Sequence, residues 1–276
     1  MNKASSATSI PGWSKGKLLA GKTIIVTGCS SGIGKETARL CKLLGADVIG
    51  VDRNKTTDYV DELYVADMSD PDTIRELADA LPAEADGLAN IAGVPPTAPA
   101  DIVLKVNLLA LKMFTELMVP KLADGASIVN LASLAGFGWA QSVDAIRASE
   151  SLDFAGVHSF MAAHGISNEG GRSYFFSKEA LVAWTFQRRW TWRERGIRMN
   201  CVSPGPVDTP IIKDFLETLG ERAEEDARVM DRLGTPQDIA PVVTFLLSDM
   251  TTWMRGANLT SDGGMSSYLQ CKIHGL

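Results

Sequence analysis

The sequence predicts an α/β fold in which helices cover both faces of a doubly wound parallel sheet. Short apolar runs rich in β-branched residues recur along the chain, and longer segments with helical periodicity separate them. These runs are continuous rather than alternating, which is typical of strands that are covered on both faces. Regular strand–helix alternation then places the ligand crevice at the carboxyl ends of the strands.

Seven apolar runs are predicted as strands, and five segments between them as helices. The strands are residues 23–28, 47–52, 63–67, 87–93, 127–133, 197–205 and 257–264. The helices are residues 33–44, 72–81, 101–122, 172–194 and 236–249. Since the sequence shows no linker or repeat, we expect residues 21–276 to form one domain. Residues 1–20 lack the apolar core of a secretory signal and are predicted to be an N-terminal extension on the surface.

The composition excludes several classes of function. With 45% apolar and 22% charged residues, the chain is typical of a soluble globular protein. Its net charge of −6 gives no electrostatic footprint for nucleic acid or an anionic membrane. The four cysteines form no CxxC pair, so neither a metal site nor a disulfide framework is predicted. We expect a cytoplasmic protein whose partners are a small molecule and further copies of the chain.

A glycine-rich turn follows the first predicted strand and opens the first predicted helix, over residues 27–34 (TGCSSGIG). Gly28 permits the tight turn, Gly32 removes a side chain where backbone approaches a pyrophosphate, and Gly34 lets the helix pack against the strand. The N–H groups at the helix N-terminus suit phosphates. A dinucleotide site is therefore predicted, with a glycine-rich turn that binds no ligand as the alternative.

Asp52 ends the second predicted strand, 24 residues after Gly28. A carboxylate there can accept hydrogen bonds from both ribose hydroxyls and would repel a 2′-phosphate, so the sequence favours NAD over NADP. The neighbouring Arg53 could soften that repulsion, which keeps NADP as an alternative. A strand-end turn residue, with no effect on cofactor choice, is the other interpretation of Asp52.

Five motifs in order resemble those of the short-chain dehydrogenase/reductase family. They are TGxxxGxG at 27–34, Asp67 on the third strand, NIAG at 90–93, YxxxK at 174–178, and Pro204-Gly205 followed by Thr209. The resemblance covers about residues 20–265. It implies a Rossmann fold and an NAD-dependent alcohol dehydrogenase or carbonyl reductase. The cofactor contacts that we then expect are Gly28, Ser30, Ser31, Gly32, Ile33, Gly34, Asp52, Arg53, Asp67, Met68, Asn90, Ala92, Gly93, Tyr174, Lys178, Pro204, Gly205, Val207 and Thr209.

Four residues are candidates for the chemistry. Tyr174 and Lys178 are four apart on a predicted helix and share a face, so the ammonium should lower the phenol pKa and make Tyr174 a general acid or base. Ser133 ends the fifth strand and can stabilise the charge that develops on the substrate oxygen. The resemblance assigns Asn107 to a proton-relay water near Lys178. Each has a structural alternative. Tyr174 and Lys178 could be a helix surface pair, and Ser133 could be a strand-end cap. Asn107 could be a buried polar residue that hydrogen-bonds to the backbone.

Two departures from the family pattern narrow the subgroup. Ser133 and Tyr174 lie 41 residues apart, a much longer spacing than is usual, and the segment from Gly93 to Asn107 is short. With NIAGVP, GVDRN and MNCVSPGPVDTPI, these features make the chain similar to bacterial coniferyl-alcohol dehydrogenases. It is more distantly similar to 3α-hydroxysteroid dehydrogenase/carbonyl reductases. We therefore expect an aryl, benzylic or other bulky apolar substrate, with a steroid as the alternative substrate. The alternative function is that of a non-catalytic NAD-sensing regulator on the same fold.

Residues 134–173 break the alternation of strands and helices. The segment is rich in aromatic residues, and 143–165 contains few helix breakers, so we predict a mostly helical insertion. Because it begins after Ser133 and ends before Tyr174, we expect a flap over the nicotinamide end of the crevice. The substrate contacts expected from the catalytic strand end, this flap and the loop after Pro204 are Ser133, Phe137, Trp139, Ile211 and Phe215.

The chain is expected to form a homodimer or homotetramer, by analogy with the family. Two predicted helices, 101–122 and 172–194, are apolar enough to bury a face against a symmetric copy. The residues proposed for that face are Met113, Phe114, Trp184, Phe186 and Trp190. The insertion could cover the same helices, so the choice between dimer and tetramer is left open.

Overall fold

The computed structural model describes residues 17–220 and 228–276, in which seven parallel strands form one sheet. The strands are β1 Thr23–Thr27, β2 Asp47–Asp52, β3 Glu62–Val65, β4 Ala85–Asn90, β5 Leu122–Leu131, β6 Arg198–Pro204 and β7 Asn258–Ser261. Their order is β3-β2-β1-β4-β5-β6-β7. The order reverses between β1 and β4, which is the switch point where doubly wound sheets bind ligands. The predicted fold class is confirmed.

The α-helices that position the site lie on both faces of this sheet. They are α1 Gly32–Leu43, α2 Pro71–Ala80, α3 Ala100–Leu104, α4 Leu111–Met118, α5 Val143–Ala148, α6 Val157–His164, α7 Arg172–Gln187, α8 Ile212–Leu219, α9 Pro236–Leu247 and α10 Met265–His274. The side chains of β1 alternate between the two apolar cores, since Ile25 joins one core and Ile24 and Val26 the other. Both faces of the sheet are therefore buried, as the continuous apolar runs predict.

The predicted helix 101–122 is divided into four parts. A π-helical segment, Lys105–Ala110, lies between α3 and α4, and a 3₁₀ turn, Val119–Lys121, ends the helix. Strand β5 then begins at Leu122, earlier than predicted. A π-helical turn within an α-helix often marks a functional position, and Asn107 lies inside this one.

Two further boundaries differ from the prediction. Helix α7 ends at Gln187 rather than at 194, because the chain turns there and brings Trp192 back against the core. At the N-terminus, Leu19 is fully buried and its N–H donates to the carbonyl of Leu44 at 3.0 Å. Residues 17–20 are thus part of the packed fold rather than an extension. The rest of the predicted extension, residues 1–16, lies outside the described residues.

The insertion after β5 is mostly helical, as predicted. It contains α5, α6 and the 3₁₀ turns Leu134–Gly136, Trp139–Gln141, Ser149–Ser151 and Glu169–Gly171. Its buried side chains, Ile146, Val157, Phe160 and Ile166, join the core on the side of α4 and α7.

Neither a membrane-spanning helix nor a metal-binding cluster is found among the described residues. No helix there combines the length and apolar character that a membrane span requires. The same ranges contain no group of three or more His, Cys, Asp or Glu side chains that is arranged to hold a metal ion.

Candidate active site

Two connected cavities lie at the carboxyl ends of the strands, on either side of the switch point. The first, of about 330 Å³, runs from the glycine-rich turn to the end of β2 and is called the cofactor cleft. The second, of about 360 Å³, lies between β5, α7 and α8 and is called the substrate cavity. They share wall residues, including Ile91, Gly93, Val94 and Leu131. A ligand in one cavity can therefore reach a ligand in the other.

The glycine-rich turn has the tight geometry that the motif predicts. Gly28 has φ +72°, and a methyl group placed on it would lie 2.9 Å from backbone atoms of Ala92. A methyl group on Gly34 would overlap the carbonyl oxygen of Gly28, so α1 could not approach β1 this closely with any other residue. Ser31 precedes α1 without capping it through its side chain, so the helix N-terminus faces the cleft with free N–H groups. Such a terminus suits a phosphate.

Asp52 lies at the end of β2 with its carboxylate held in the cleft. Its Oδ2 accepts from the N–H of Ser30 at 3.0 Å, and its Oδ1 accepts from the N–H of Asn54 at 2.8 Å. Each carboxylate oxygen can accept a second hydrogen bond, so two hydroxyl groups of a ribose could be bound. Arg53, which is exposed, also lines the cleft.

Most of the expected cofactor residues line one of the two cavities. In the cofactor cleft these are Gly28, Ser30, Ser31, Gly32, Ile33, Gly34, Asp52, Arg53, Asp67, Met68, Ala92, Gly93 and Thr209. Tyr174, Lys178, Pro204, Gly205 and Val207 line the substrate cavity. Residues that line the cleft but were not predicted from the sequence include Asn54, Ala66, Ser69, Ile102, Val106 and Pro210. Several of these are chain neighbours of motif residues, and that adjacency could have indicated them.

Asn90 is the exception, and its side chain does not line either cavity. It is 2% exposed, and its Nδ2 donates to Thr115 Oγ1 at 2.8 Å and to Asn130 Oδ1 at 2.9 Å. Because Asn90 and Asn130 are register partners on β4 and β5, these bonds join the two strands and α4. The expected cofactor contact through this side chain is therefore corrected to a structural role.

Ser133, Tyr174 and Lys178 meet at the inner wall of the substrate cavity. Ser133 follows β5, and its hydroxyl is close enough to the Tyr174 phenol to lower the pKa of that group. Lys178 lies one turn along α7, where its Nζ donates to the carbonyl of Leu131 at 2.8 Å and lies 5.6 Å from the centre of the Tyr174 ring. Tyr174 is 8% exposed and Lys178 5% exposed. The structure thus brings together three of the four catalytic candidates.

The protonation equilibria differ from the sequence-based expectation. Burial raises the pKa of the Tyr174 phenol above its ordinary value, and the hydrogen bond from Ser133 lowers it only in part. Burial lowers the pKa of the Lys178 ammonium to about 8, against a partial opposing effect of the nearby Cys201 thiol. Desolvation is thus the larger influence on the phenol, and the expected lowering of its pKa by the Lys178 ammonium stays a prediction.

Lys178 should leave a measurable signature in stability. Below pH 8 the Lys178 ammonium is charged in both the folded and the unfolded chain. Its removal from water on folding then lowers the free energy of unfolding. Between the folded pKa of about 8 and the ordinary 10.5, only the unfolded chain keeps the proton, so wild-type stability rises with pH. We expect the stability advantage of Lys178→Met over wild type to fall by about 1–3 kcal/mol across this window. Urea unfolding of both proteins at pH 7 and pH 10.5 measures it, and a pH-independent difference would contradict it.

Asn107 is buried in the π-helical segment and also lines the substrate cavity. Its Oδ1 accepts from the N–H of Val94 at 2.8 Å, and its Nδ2 donates to the carbonyl of Val94 at 3.0 Å. The side chain therefore fixes the backbone of the loop after β4. Its expected part in a proton relay stays a prediction.

The substrate cavity is lined mainly by apolar side chains. Of the expected substrate residues, Ser133, Ile211 and Phe215 line it, and the Phe215 ring lies edge-on to Tyr174 with centroids 4.9 Å apart. The sequence analysis missed Val94, Pro96, Leu134, Ala135, Phe175, Leu216, Thr218, Met230 and Leu233. Among the described lining residues, Lys178 carries the single formal charge.

Phe137 and Trp139 do not line the substrate cavity, and the insertion does not form a flap over it. Trp139 packs edge-on against Phe186 of α7 at 5.5 Å, and Phe160 packs against Phe176 at 5.5 Å. Only the first insertion residues, Leu134 and Ala135, reach the cavity. The apolar side of the insertion instead packs against α7 within the core, which removes its apolar surface from water.

This packing also corrects the proposed oligomer face. Phe114 is fully buried and Trp184 is 3% exposed, both within the chain itself. Met113 and Phe186 pack against the same core, and of the five residues only Trp190 is largely exposed, at 59%. The apolar pattern on these helices reflects contacts with the chain's own insertion.

Comparisons with known proteins agree with this geometry. Residues 22–149 match the family model described as short chain dehydrogenase, and residues 155–266 match that described as Enoyl-(Acyl carrier protein) reductase. The chain is 40% identical to a coniferyl-alcohol dehydrogenase of Pseudomonas sp. (strain HR199 / DSM 7063), over 90% of this chain and 98% of that protein. It is 26% identical to a 3-alpha-hydroxysteroid dehydrogenase/carbonyl reductase of Comamonas testosteroni, over 90% and 97%. A crystal structure of the 3-alpha-hydroxysteroid dehydrogenase from Pseudomonas sp. B-0831 with NADH superposes with a TM-score of 0.76, at 26% identity, over 91% of this chain and 99% of that one.

Proposed function

The chain belongs to the short-chain dehydrogenase family, and from that premise we propose that it is an NAD-dependent oxidoreductase of aryl or benzylic alcohols. It interconverts the alcohol and the corresponding aldehyde or ketone, with Tyr174 as general acid or base. The observation that carries the proposal is the meeting of Ser133, Tyr174 and Lys178 at the inner wall of the substrate cavity, which shares wall residues with the cofactor cleft.

The cofactor cleft fits a dinucleotide in shape and in chemistry. The uncapped start of α1 and the glycine-rich turn suit a pyrophosphate, and the Asp52 carboxylate suits a ribose diol. The family binds NAD(H) or NADP(H), and Asp52 supports NAD. When bound, the oxidised cofactor supplies the hydride acceptor and a positively charged ring.

The catalytic residues have separate roles in alcohol oxidation. Ser133 donates a hydrogen bond to the substrate oxygen, and Tyr174 removes the proton from that oxygen as the carbonyl forms. Positive charge close to a buried phenol favours the phenolate, which offsets the desolvation that raises the pKa of Tyr174. Lys178 supplies one such charge. In the reducing direction, the Tyr174 phenol returns the proton.

The lining supports a neutral, apolar, flat substrate. The aromatic rings of Phe175 and Phe215 line the same cavity as Tyr174, and Phe215 also contacts the Tyr174 ring. Both rings suit stacking against an aryl ring. Apart from the buried Lys178, no described lining residue could pair with a carboxylate or a phosphate. The similarity to a coniferyl-alcohol dehydrogenase supports the same class.

A steroid alcohol is the second candidate, since both a sequence relative and a solved structure carry that name. The apolar lining would suit a steroid as well as an aryl ring. The decisive experiment follows NAD reduction by the purified protein with cinnamyl, benzylic and steroid alcohols in parallel. We expect the cinnamyl or benzylic alcohols to give the highest kcat/KM. Turnover confined to steroids would favour the second candidate, and no turnover of any alcohol would contradict the proposal.

Phe215 and Trp139 provide a direct test of what selects the substrate. Phe215→Ala is expected to change the ranking of aryl alcohols, because it removes a ring that faces Tyr174 in the substrate cavity. Trp139→Ala is expected to keep that ranking and to lower the free energy of unfolding by about 2 kcal/mol, because it removes a contact with Phe186. Kinetics on three alcohols and urea unfolding separate the two. A changed ranking in Trp139→Ala alone would restore the insertion as the selective element.

Assembly into a homodimer or homotetramer is also proposed, on the strength of family membership. Because the insertion packs against α7, we propose that the symmetric contact uses another surface. Light scattering at micromolar concentration tests this, and a monomer would contradict it.

A further inference from the structure

The start of the insertion is packed directly against the backbone of the catalytic helix. A methyl group placed on Gly136 would lie 2.8 Å from the carbonyl oxygen of Lys178. One placed on Gly138 would lie 3.3 Å from the carboxylate of Glu179, the next residue on α7. The segment that leaves Ser133 therefore runs over the turn of α7 that carries Lys178, at a distance that glycine permits.

An ion pair between the buried Glu179 and the partly exposed Arg172 fixes the segment in this position. Glu179 is 6% exposed, and its Oε2 accepts from Arg172 at 2.9 Å and from the Ser142 hydroxyl at 2.6 Å. Arg172 also donates to Ser142 Oγ at 2.9 Å, which closes a three-membered network. Arg172 and Glu179 belong to α7, whereas Ser142 belongs to the insertion. The network thus links the two segments on which the catalytic residues lie.

The catalytic geometry depends on that link. Ser133 and Tyr174 come from different segments and line the same cavity, where the Ser133 hydroxyl lowers the pKa of the phenol. The chain from Ser133 to Ser142 is short, and its 3₁₀ turns leave it few ways to move once Ser142 is held. A small displacement of a catalytic group costs up to about 100-fold in rate. Because the Glu179 carboxylate is buried, leaving it without one of its donors costs stability, which keeps the link closed.

We infer that Glu179 is a positioning residue for the proposed reaction, which it serves by holding the Ser133 segment against the helix that carries Tyr174 and Lys178. The inference rests on the proposed function of Ser133 and Tyr174. Glu179 touches neither cavity, so its effect on the reaction passes through Ser133. The groups that face the Tyr174 phenol are Ser133, the Lys178 ammonium and the Phe215 ring, and Lys178 is the charged one.

Three variants vary the link in graded steps. Ser142→Ala removes the insertion's hydrogen bond and leaves the Arg172–Glu179 pair intact, and we expect kcat to fall by about 5- to 10-fold. Glu179→Ala removes the whole link, and we expect a fall of about 10- to 100-fold. Glu179→Gln keeps an acceptor oxygen for both donors and should recover much of the loss. The KM for NAD should stay near its wild-type value in all three, because none of them lines the cofactor cleft.

A double-mutant cycle with Ser133→Ala gives the decisive measurement. If Glu179 acts through Ser133, Ser142→Ala should have almost no further effect on kcat in the Ser133→Ala background. The acidic limb of the pH–rate profile for alcohol oxidation, where Tyr174 must be deprotonated, should also move to higher pH in Ser142→Ala, since a looser contact with Ser133 lowers the Tyr174 pKa less. Additive losses with an unshifted profile would overturn the inference.

A matched control separates positioning from general loosening of the helix. Thr185 lies on the same α7, and its hydroxyl accepts from Asn130 at 3.1 Å, away from Ser133. Thr185→Val should lower stability without coupling to Ser133→Ala and without moving the pH profile. Equal coupling of Thr185→Val would also overturn the inference. Wild-type protein that turns over no alcohol would instead contradict the proposed function, so the two failures are distinguishable.

Discussion

Tyr174→Phe is expected to lower kcat by about 10³-fold, while NAD binding stays near the wild-type value. The substitution keeps the ring, which packs edge-on against Phe215, and removes only the phenol oxygen, whose pKa Ser133 lowers. Acid–base assistance and stabilisation of developing charge each contribute about 10²–10³ in rate, and both pass through this oxygen. Steady-state kinetics with an aryl alcohol, together with NAD titration by fluorescence, measure the two quantities.

Tyr268→Phe provides the matched control, because Tyr268 is 43% exposed on α10 and lies outside both cavities. Its kcat should equal that of the wild type. The assignment of Tyr174 is contradicted if Tyr174→Phe keeps more than about a tenth of the activity with an unchanged pH dependence. A large loss of NAD affinity would show instead that the phenol mainly holds the cofactor.

Asp52→Ala is expected to lower kcat/KM with NAD by about 10- to 100-fold, the range for hydrogen bonds to a charged acceptor. It should also narrow the preference for NAD over NADP, because the charge that repels a 2′-phosphate is lost. The carboxylate is held by the N–H groups of Ser30 and Asn54, so its position is fixed before any ligand binds. Kinetics with each cofactor, before and after the substitution, give the ratio.

Two further variants sharpen this test. Asp52→Asn keeps an acceptor oxygen but removes the charge, so it should recover NAD use more than it recovers discrimination against NADP. Asp58→Asn changes an exposed carboxylate that pairs with Lys35 at 2.6 Å, and it should alter neither. Wild-type protein that already prefers NADP would contradict the role of Asp52 and assign cofactor choice to Arg53.

The parts of the molecule that short-range rules determine could be predicted from the sequence. Continuous apolar runs predicted the parallel sheet, and the spacing of the glycines predicted the turn in which Gly34 packs against the Gly28 carbonyl. Tyr174 and Lys178 are one turn apart, so any helix there places them together. That residues 21–276 form one domain stays a prediction, although the burial of Leu19 shows that the packed fold begins earlier than residue 21.

The errors arose where the sequence fixes the ends of a segment but not its packing. Residues 134–173 begin and end at catalytic groups, yet their apolar side chains cover α7 rather than the cavity. The same contact hides Phe114 and Trp184, whose pattern is indistinguishable in sequence from that of an oligomer interface. Asn90 was misplaced for a similar reason, since its partner Asn130 lies on a neighbouring strand. Such partners are known only once the strand register is known.

The π-helical segment Lys105–Ala110 lies between α3 and α4 and determines how far one helix is rotated relative to the other about their common axis. Its hydrogen bonds span one residue more than those of an α-helix, so α3 and α4 are rotated relative to each other around a common path. Asn107 faces Val94 at this point, while Phe114 and Met118 of α4 face the core. Deleting a single residue here would turn one half by about 100° against the other. During divergence, this stretch should therefore tolerate substitution more readily than any change in its length.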